Sequence, residues 1–188
     1  MIATCTKWIE KRFSGFSFLI GLYELYYKKI VRKEIELANI TSKDNILCIG
    51  GGAIPSTAVE LANQTNANVH VIDVDNNAVE CAQNVVKKLG LRNKISIARE
   101  KGEDIDISSY DVIHIALQVS PKEKVLKHIW NNAKEGNRII VRIPKKILKP
   151  FYSNVSEEFV YKNANCIKNY SLNYRLNTMD KILLMVKN

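Results

Sequence analysis

The chain has 188 residues, of which 46% are hydrophobic and 25% charged, an ordinary composition for one globular domain with a short extension. Its length allows roughly 70% of the unfolded surface to be buried, and its composition excludes a disordered tail protein, a collagen-like fibre and a coiled coil. The net charge of +9 favours anionic partners and keeps nucleic acid as an alternative partner, although the basic residues are scattered along the chain.

The first residues show neither a signal peptide nor a membrane span. The longest apolar run, residues 16–23, is interrupted by Ser17 and Gly21 and is well short of the ~20 residues that a span needs. The four cysteines form no C-x-x-C pair, which disfavours a zinc ribbon or a disulfide framework, and the three histidines lack metal-ligand spacing. We therefore expect a cytoplasmic protein with no metal, no disulfide framework and no membrane partner.

The predicted elements begin with an N-terminal helical segment, residues 1–43, in which apolar side chains recur at three- and four-residue steps between about residues 16 and 39. Residues 44–188 alternate short apolar runs with helical periods and form the second predicted unit. The predicted strands are Asn45–Ile49, Asn68–Val74, Lys94–Ala98, Tyr110–Leu117 and Arg138–Ile143, and the predicted helices are Pro55–Ala62, Ala78–Leu89 and residues 121–134.

Several residues mark where the predicted helices begin and end. Asp75 is the predicted cap of the helix Ala78–Leu89, and Gly90 is its predicted end. Residues 120–123 (S-P-K-E) form a predicted capping box for the helix at residues 121–134. Strands that are apolar throughout and alternate with helices indicate a parallel sheet covered on both faces. The segments Cys166–Arg175 and Lys181–Lys187 follow one another without a helix, so we expect an antiparallel pair to complete this doubly wound α/β sheet.

The stretch Ile46–Pro55 is the most informative part of the sequence. A strand runs directly into Gly50, Gly51 and Gly52 and then into a helix, which lets a ligand lie against bare backbone at the carboxyl end of the strand. Asp73 ends the second strand 23 residues after Gly50, where a carboxylate can accept hydrogen bonds from both ribose hydroxyls. The order of these features predicts a cofactor that contains adenosine, and the alternative is a glycine turn with a purely structural role.

The missing motifs narrow the choice of cofactor. The sixth position of a dinucleotide G-x-G-x-x-G loop is Pro55 here, and no G-K-[ST] follows the glycines. Five alternating strands with a closing antiparallel pair resemble instead the class I methyltransferase fold of S-adenosylmethionine-dependent transferases. That resemblance implies a Rossmann-like, mostly parallel, seven-stranded sheet. Such enzymes usually carry an acid two residues before the first glycine, where this chain has Cys48.

One family that lacks this acid matches several motifs. Residues 49–57 (I-G-G-G-A-I-P-S-T) resemble the V-G-S-G-P-L-P-L-T loop of nicotianamine synthases, and residues 110–119 (Y-D-V-I-H-I-A-L-Q-V) resemble their Y-D-V-V-F-L-A-A-L-V strand. Shorter motifs of the family also recur. Residues 72–75 are similar to its Y-D-I-D, residues 123–124 match its E-K and residues 141–142 match its V-R. Residues 151–155 resemble its F-L-Y-P-x-V, and residues 32–37 look like its R-L-E-Y region. Residues 143–146 depart from the S-A-H-G of the family.

The resemblance implies transfer of a 3-amino-3-carboxypropyl group from S-adenosylmethionine to an amine of a small molecule. It also implies a general base, for which Glu34 is the candidate, with Tyr23 and Tyr27 on the same helix face. We expect this face to cover the carboxyl ends of the strands and the aromatic rings to raise the pKa of Glu34. The expected cofactor-binding residues are Gly50, Gly51, Gly52, Pro55, Asp73, Val74, Glu103, Asp104 and Leu117.

Each of these assignments has a plainer alternative. Glu34 is then a solvated rim residue beside Arg32 and Lys33, and Glu103 and Asp104 are loop acids rather than acceptors for the adenine amino group. We interpret Cys48 and His114, both on apolar strands, as core residues.

Other functions also stay open. Methyl transfer to a small molecule or to RNA is one alternative, although residues 117–121 (L-Q-V-S-P) lack the [DNS]-P-P-[YFW] motif of enzymes that methylate base amines. The other alternative is a cofactor-binding module without catalysis. The sequence predicts no oligomeric state.

Overall fold

The computed structural model describes residues 17–163, 166–171 and 178–188, and for residues 17–26 and Lys149 it describes the backbone alone. Seven strands and five α-helices follow one another along the described residues. The helices are α1 (Ser17–Ala38), α2 (Ser56–Thr65), α3 (Asn76–Lys88), α4 (Lys122–Asn132) and α5 (Glu157–Lys162). The strands are β1 (Asn45–Ile49), β2 (Asn68–Asp73), β3 (Ile95–Arg99), β4 (Val112–Ile115), β5 (Arg138–Pro144), β6 (Ile167–Ser171) and β7 (Met179–Val186).

The strands form one sheet in the order β3-β2-β1-β4-β5-β7-β6. The first five are parallel to their neighbours, and β7 lies antiparallel between β5 and β6. The predicted doubly wound, mostly parallel sheet of seven strands is therefore confirmed. The chain order reverses between β1 and β4, and ligands of open α/β sheets bind at the carboxyl end of such a switch point.

Hydrophobic layers cover both faces of the sheet. On one face, Ile46 and Cys48 of β1 belong to a core cluster with residues of α1 and α2, among them Ile30 and Leu61. On the other face, Leu47 and Ile49 pack in a second cluster with residues of α4 and α5. The complete burial of β4, all four residues, follows from this double cover.

Helix α1 runs antiparallel to β5 along the first of these faces. The guanidinium of Arg138, at the start of β5, donates to the Ala38 carbonyl over 2.9 Å and pairs with Asp44. Arg142, four residues later on β5, reaches Glu34, which lies one helical turn before Ala38 on α1. The amino-terminal part of α1 therefore points toward the carboxyl edge of the sheet, where a ligand is expected.

Several local expectations are confirmed and others are wrong. Asp75 caps α3 by accepting from the Asn77 backbone N–H over 2.9 Å, as expected. The capping box at residues 120–123 is wrong: α4 begins after Pro121 without a side-chain cap, and Glu123 accepts instead from the Ser156 backbone N–H. The sequence analysis did not predict the short helix α5, which Ser156 caps, or the 3-10 turn at Lys146–Phe151.

Three further expectations concern membrane-spanning helices, the penultimate strand and the cysteines. Within the described residues no helix is long and apolar enough to cross a membrane. Part of the expected penultimate strand, residues 172–175, lies outside the described residues, and β6 ends at Ser171. Cys48 and Cys166 are free thiols, whereas Cys81 is disulfide-bonded, which the sequence analysis did not anticipate.

Candidate functional site

The three glycines after β1 form a loop that is tied to the end of β2. The Gly50 and Gly51 N–H groups donate to the Ile72 carbonyl over 2.9 and 3.3 Å. The Gly52 N–H donates to Oδ2 of Asp73 over 2.8 Å. Asp73 thus fixes the glycine loop and still has carboxylate lone pairs for a ligand.

The three glycines are required for two reasons, backbone conformation and close packing. Gly50 and Gly52 adopt φ values of +82° and +64°, where side chains are strained. A Cβ on Gly51 would lie 2.1 Å from the Val71 side chain, so the protein itself excludes a side chain there. A Cβ on Gly52 would meet nothing within 4 Å. Of the three glycines expected to bind the cofactor, Gly52 alone faces open space, whereas Gly50 and Gly51 are constrained by the packing of Val119 and Val71.

Two cavities meet at this loop. The larger, of about 420 Å³, lies over the α1 face of the sheet. The smaller, of about 290 Å³, lies beside the ends of β2 and β3. Both are lined by Ile49, Gly50, Gly52 and Gln118, so they form one continuous groove along the carboxyl edge at the switch point.

The smaller cavity carries the residues expected to hold adenosine. Asp73, Val74 and Glu103 line it, and Val74 is 60% exposed, which offers an apolar surface to a flat ring. Asp104 is exposed and does not line either cavity, so its expected contact with the adenine amino group is not supported. Glu100, which the sequence analysis missed, lines the cavity directly after β3.

The remaining expected residues divide between the cavities and the core. Pro55 and Tyr27 line the larger cavity. Leu117 is buried in the hydrophobic cluster, and its carbonyl accepts from Lys122 Nζ, so its side chain does not reach the groove. Tyr23 lies on α1 among the residues whose side chains are not described.

A buried polar cluster forms the floor of the larger cavity. Arg142 donates from Nε and Nη2 to the two carboxylate oxygens of Glu34, each over 2.7 Å, and from Nη1 to Thr57 Oγ1 over 3.0 Å. Its guanidinium carbon lies 5.5 Å from the centroid of the Tyr27 ring. A bidentate ion pair of this kind has short hydrogen bonds and a fixed relative orientation of the two side chains. Arg142, Thr57 and Gln118 lie within the quoted motifs, but the sequence assigned them no role, because their partners are distant in the chain.

Glu34 is part of this floor rather than of the cavity wall. Its side chain is 0% exposed, and it does not line the cavity. Burial alone would raise the pKa of Glu34, but the charge of Arg142, helped by His114, lowers that pKa to about 2. The expected raised pKa is wrong, because an arginine replaces the aromatic rings as the nearest neighbour. The solvated alternative is wrong as well, since Arg32 and Lys33 pair with Glu36 instead.

His114 and Cys48 have different environments although both lie on buried strands. Burial raises the pKa of the Cys48 thiol to about 12, which agrees with a core residue. His114 is 1% exposed, lines the larger cavity and places Nε2 3.3 Å from Oε1 of Glu34. Its interpretation as a plain core histidine is therefore incomplete. In the described part of the chain no cluster of histidine, cysteine and acidic side chains has the form of a metal site.

Comparisons with known proteins agree with this geometry. The family model described as nicotianamine synthase protein matches residues 11–172. An L-histidine 2-aminobutanoyltransferase of Pseudomonas aeruginosa is 28% identical over 114 residues, which cover 60% of this chain and 43% of that protein. A similarly named protein of Yersinia pestis is 27% identical over 120 residues, 64% of this chain and 45% of that protein. The chain thus spans less than half the length of these two relatives.

Solved structures agree on the fold. A variant of the nicotianamine synthase MtNAS, in complex with S-adenosylmethionine, has a TM-score of 0.72 at 21% identity and covers 86% of this chain and 62% of its own. At these identities the structures establish the class I methyltransferase fold alone. The family model covers most of the chain, including both the glycine loop and Arg142. The chain therefore belongs to the nicotianamine synthase family.

Proposed function

We propose that this protein is an S-adenosylmethionine-dependent transferase that moves a 3-amino-3-carboxypropyl group to an amine of a small molecule. The observation that carries the proposal is the continuous groove in which one cavity has ribose- and adenine-type partners and the other has a buried polar floor. The Gly50–Gly52 loop joins the two, so a ligand that fills the smaller cavity can extend along the loop into the larger one.

The residues of the smaller cavity suit the adenosine part of the cofactor. Asp73 offers carboxylate oxygens to ribose hydroxyls, Val74 offers an apolar surface to the adenine ring, and Glu103 and Glu100 offer acceptors to its amino group. The residues of the larger cavity suit a polar, charged substrate. Tyr27, Thr57, Gln118 and Arg142 line it with a phenol, a hydroxyl, an amide and a guanidinium.

The cofactor supplies a sulfonium ion with three electrophilic carbons. The carbon that reacts is the one that the protein holds in line with the nucleophile, with the two reacting atoms roughly 3–3.5 Å apart. The proposed choice of the aminocarboxypropyl carbon is supported by family membership and by the names of the Pseudomonas and Yersinia relatives, which describe transfer of an aminobutanoyl group to L-histidine. An amine acceptor, with L-histidine as the first candidate, follows from the same names.

The test is mass spectrometry of the products formed from S-adenosylmethionine, alone and with L-histidine or a mixture of amino acids. Aminocarboxypropyl transfer releases methylthioadenosine, whereas methyl transfer releases S-adenosylhomocysteine. We expect methylthioadenosine together with an acceptor that has gained the aminocarboxypropyl mass. Formation of S-adenosylhomocysteine would instead establish a methyltransferase. Tight cofactor binding in calorimetry with neither product would leave the non-catalytic module as the correct account.

A further inference from the structure

We propose that His114 is the general base of this site, that it takes the proton which the acceptor ammonium must lose, and that Glu34 acts on His114 as a positioning residue. This deepens the proposed function and rests on transfer to an amine nitrogen. It replaces the direct role that the sequence analysis expected of Glu34.

The first support is the location of the ring. His114 is the third residue of β4, the strand next to β1, and its register partner on β1 is Cys48, two residues before Gly50. Its side chain lines the larger cavity together with all three glycines of the loop. Among the side chains of this cavity it is a base of the type most often used for proton transfer in enzymes. His114 also stands where the quoted family strand has phenylalanine.

The second support is the hydrogen bond that fixes the ring. The Glu34 carboxylate is ionised and can only accept hydrogen bonds, so the imidazole nitrogen 3.3 Å from it, Nε2, carries the proton of the neutral ring. The other nitrogen, Nδ1, then holds a lone pair. Within residues 17–163, 166–171 and 178–188 no hydrogen-bond partner of Nδ1 is present. A buried lone pair on a cavity wall is available to a substrate proton.

The third support is the charge around the ring. The groups that face it are Glu34 and Tyr27 of α1, Cys48 of β1, Lys122 of α4 and Arg142 of β5. Burial lowers the pKa of His114, the charge of Glu34 opposes this, and Arg142 and Lys122 lower it further. The free ring is therefore neutral near pH 7, as a proton acceptor must be, and the imidazolium formed during the reaction gains the attraction of Glu34.

Glu34 itself is a poorer proton acceptor than His114. Both of its oxygens accept short bonds from Arg142, and its side chain does not reach the cavity. Protonation of Glu34 would break the ion pair and leave a buried guanidinium without its partner. Its position behind His114 is instead that of a carboxylate that orients an imidazole.

The chemical step balances in protons and electrons. The acceptor R–NH3⁺ gives one proton to Nδ1 of His114 and becomes R–NH2. The nitrogen lone pair forms the N–C bond, the C–S bond of the sulfonium breaks, and its electron pair stays on sulfur as a neutral thioether. The product is a secondary ammonium, and the imidazolium returns its proton to water.

The experiment compares wild-type protein with His114→Gln, which keeps a polar side chain but removes the base. We expect turnover to fall by roughly 10²–10⁴-fold, with the affinity for S-adenosylmethionine in calorimetry nearly unchanged. The control is His70→Gln, a histidine on β2 that bonds Tyr110 and lies outside both cavities of the groove; its turnover should stay at the wild-type level.

Two readouts separate a base from a structural residue. Added imidazole should restore part of the turnover of His114→Ala, and the decline of kcat/KM on acidification that reflects His114 protonation should disappear in His114→Gln. Nitrogen NMR of the wild-type imidazole should show the tautomer with the proton on Nε2, and this measurement needs no variant to fold.

The possible failures are distinguishable. Wild-type turnover in a folded His114→Gln, or a proton on Nδ1 in the free protein, overturns the role of His114 and leaves the proposed function intact. A wild-type protein that binds S-adenosylmethionine but forms no product with any amine overturns the proposed function and this inference with it.

Discussion

Asp73 connects the cofactor site to the backbone that builds it. One carboxylate oxygen accepts from the Gly52 N–H and the other from the Asp75 N–H, over 2.8 and 3.0 Å. The same side chain lines the smaller cavity. A single residue at the end of β2 thus holds the loop in shape and presents acceptors to a ribose.

Asp73→Ala should weaken S-adenosylmethionine binding tenfold or more, because about 1.5–3 kcal/mol of charge-assisted hydrogen bonding is lost. Asp75→Ala is the matched control. It removes a carboxylate two residues away that caps α3 but does not line the groove, so it should cost about 1 kcal/mol of stability and leave affinity unchanged. Equal affinities of wild type and Asp73→Ala in calorimetry would remove Asp73 from the cofactor site.

Gly52→Ala tests whether the open space at the loop belongs to the ligand. No protein atom lies within 4 Å of the added Cβ, so the fold should lose only the ~1 kcal/mol of a left-handed alanine. The cofactor affinity should fall by far more than tenfold. Gly90→Ala carries a similar strain, since Gly90 has φ +70° and equally open space, but it lies at the end of α3. Similar cofactor affinity in the two variants would show that the loop is structural.

Lys122 is a buried amine behind the loop that follows β4. Its Nζ donates to the carbonyls of Ala116 and Leu117 over 2.5 and 3.0 Å. Burial, with the charge of Arg142, lowers the pKa of Lys122 from 10.5 to about 7. Between these values the unfolded chain binds a proton that the folded chain does not, so folding stability gains from Lys122 as pH rises above 7.

The stability of Lys122→Met relative to wild type should therefore fall as pH rises. We expect the difference in the free energy of unfolding to grow by about 1–3 kcal/mol between pH 7 and pH 9, measured by urea denaturation. Lys124→Met, at a neighbouring position where the side chain is 67% exposed, should show no such change. A gap between wild type and Lys122→Met that is constant with pH would contradict the lowered pKa.

At the scale of elements, α1 is attached to the sheet both through charged groups on β5 and through an apolar layer. Arg142 reaches Glu34 near the carboxyl edge, and Arg138 reaches Asp44 and the end of α1 at the other edge. The apolar residues Ile30 and Val31, both 0% exposed, fill the space between helix and sheet. The helix is thus held against the sheet and contributes Tyr27 to the wall of the larger cavity.

Arg142→Met should destabilise the fold by about 3–5 kcal/mol, because Glu34 then remains as a buried charge without its partner. Arg138→Met breaks the more exposed pair with Asp44 on the same strand and should cost clearly less. Thermal or urea unfolding measures both. A smaller loss in Arg142→Met than in Arg138→Met would show that the buried pair does not hold α1.

The pH dependence of the wild type follows from the same pair. The pKa of Glu34 is about 2 in the folded chain and near 4.5 in the unfolded chain. The stability that the ionised carboxylate contributes is therefore complete above pH 4.5 and is lost as pH falls toward 2. Glu34→Gln should lack this part of the acid denaturation.

At the scale of the whole molecule, the net charge is +9, but the residues that line the groove carry charges of both signs. The groove is lined by Asp73, Glu100 and Glu103 as well as by Arg142. We expect total RNA retained on a filter at low salt to be released between about 50 and 200 mM salt, as phosphate-driven binding without specific contacts is. Retention that survives this increase would favour RNA as the acceptor and methyl transfer as the reaction.

The sequence by itself determined the parts of the protein that are encoded locally. Continuous apolar runs that alternate with 3.6-residue periods predict a doubly wound sheet, and the glycines after β1 with Asp73 after β2 predict a ribose site. Each signal lies within a few residues of the element that it forms. Errors at this level, such as the capping box at residues 120–123, arose where a distant partner took the side chain: Glu123 bonds the backbone of Ser156.

The tertiary structure alone decided which side chains share the floor of the larger cavity. Glu34 lies 108 residues from Arg142 and 80 residues from His114 in the chain, and no periodicity links positions on a helix and two separate strands. The pKa of Glu34 is lowered, whereas a raised pKa was expected. The lowering depends on Arg142, which only the packing of α1 against β5 brings within 2.7 Å. Coulomb interactions act over ångströms of space rather than over positions in sequence, so the charge state of the site follows from the fold.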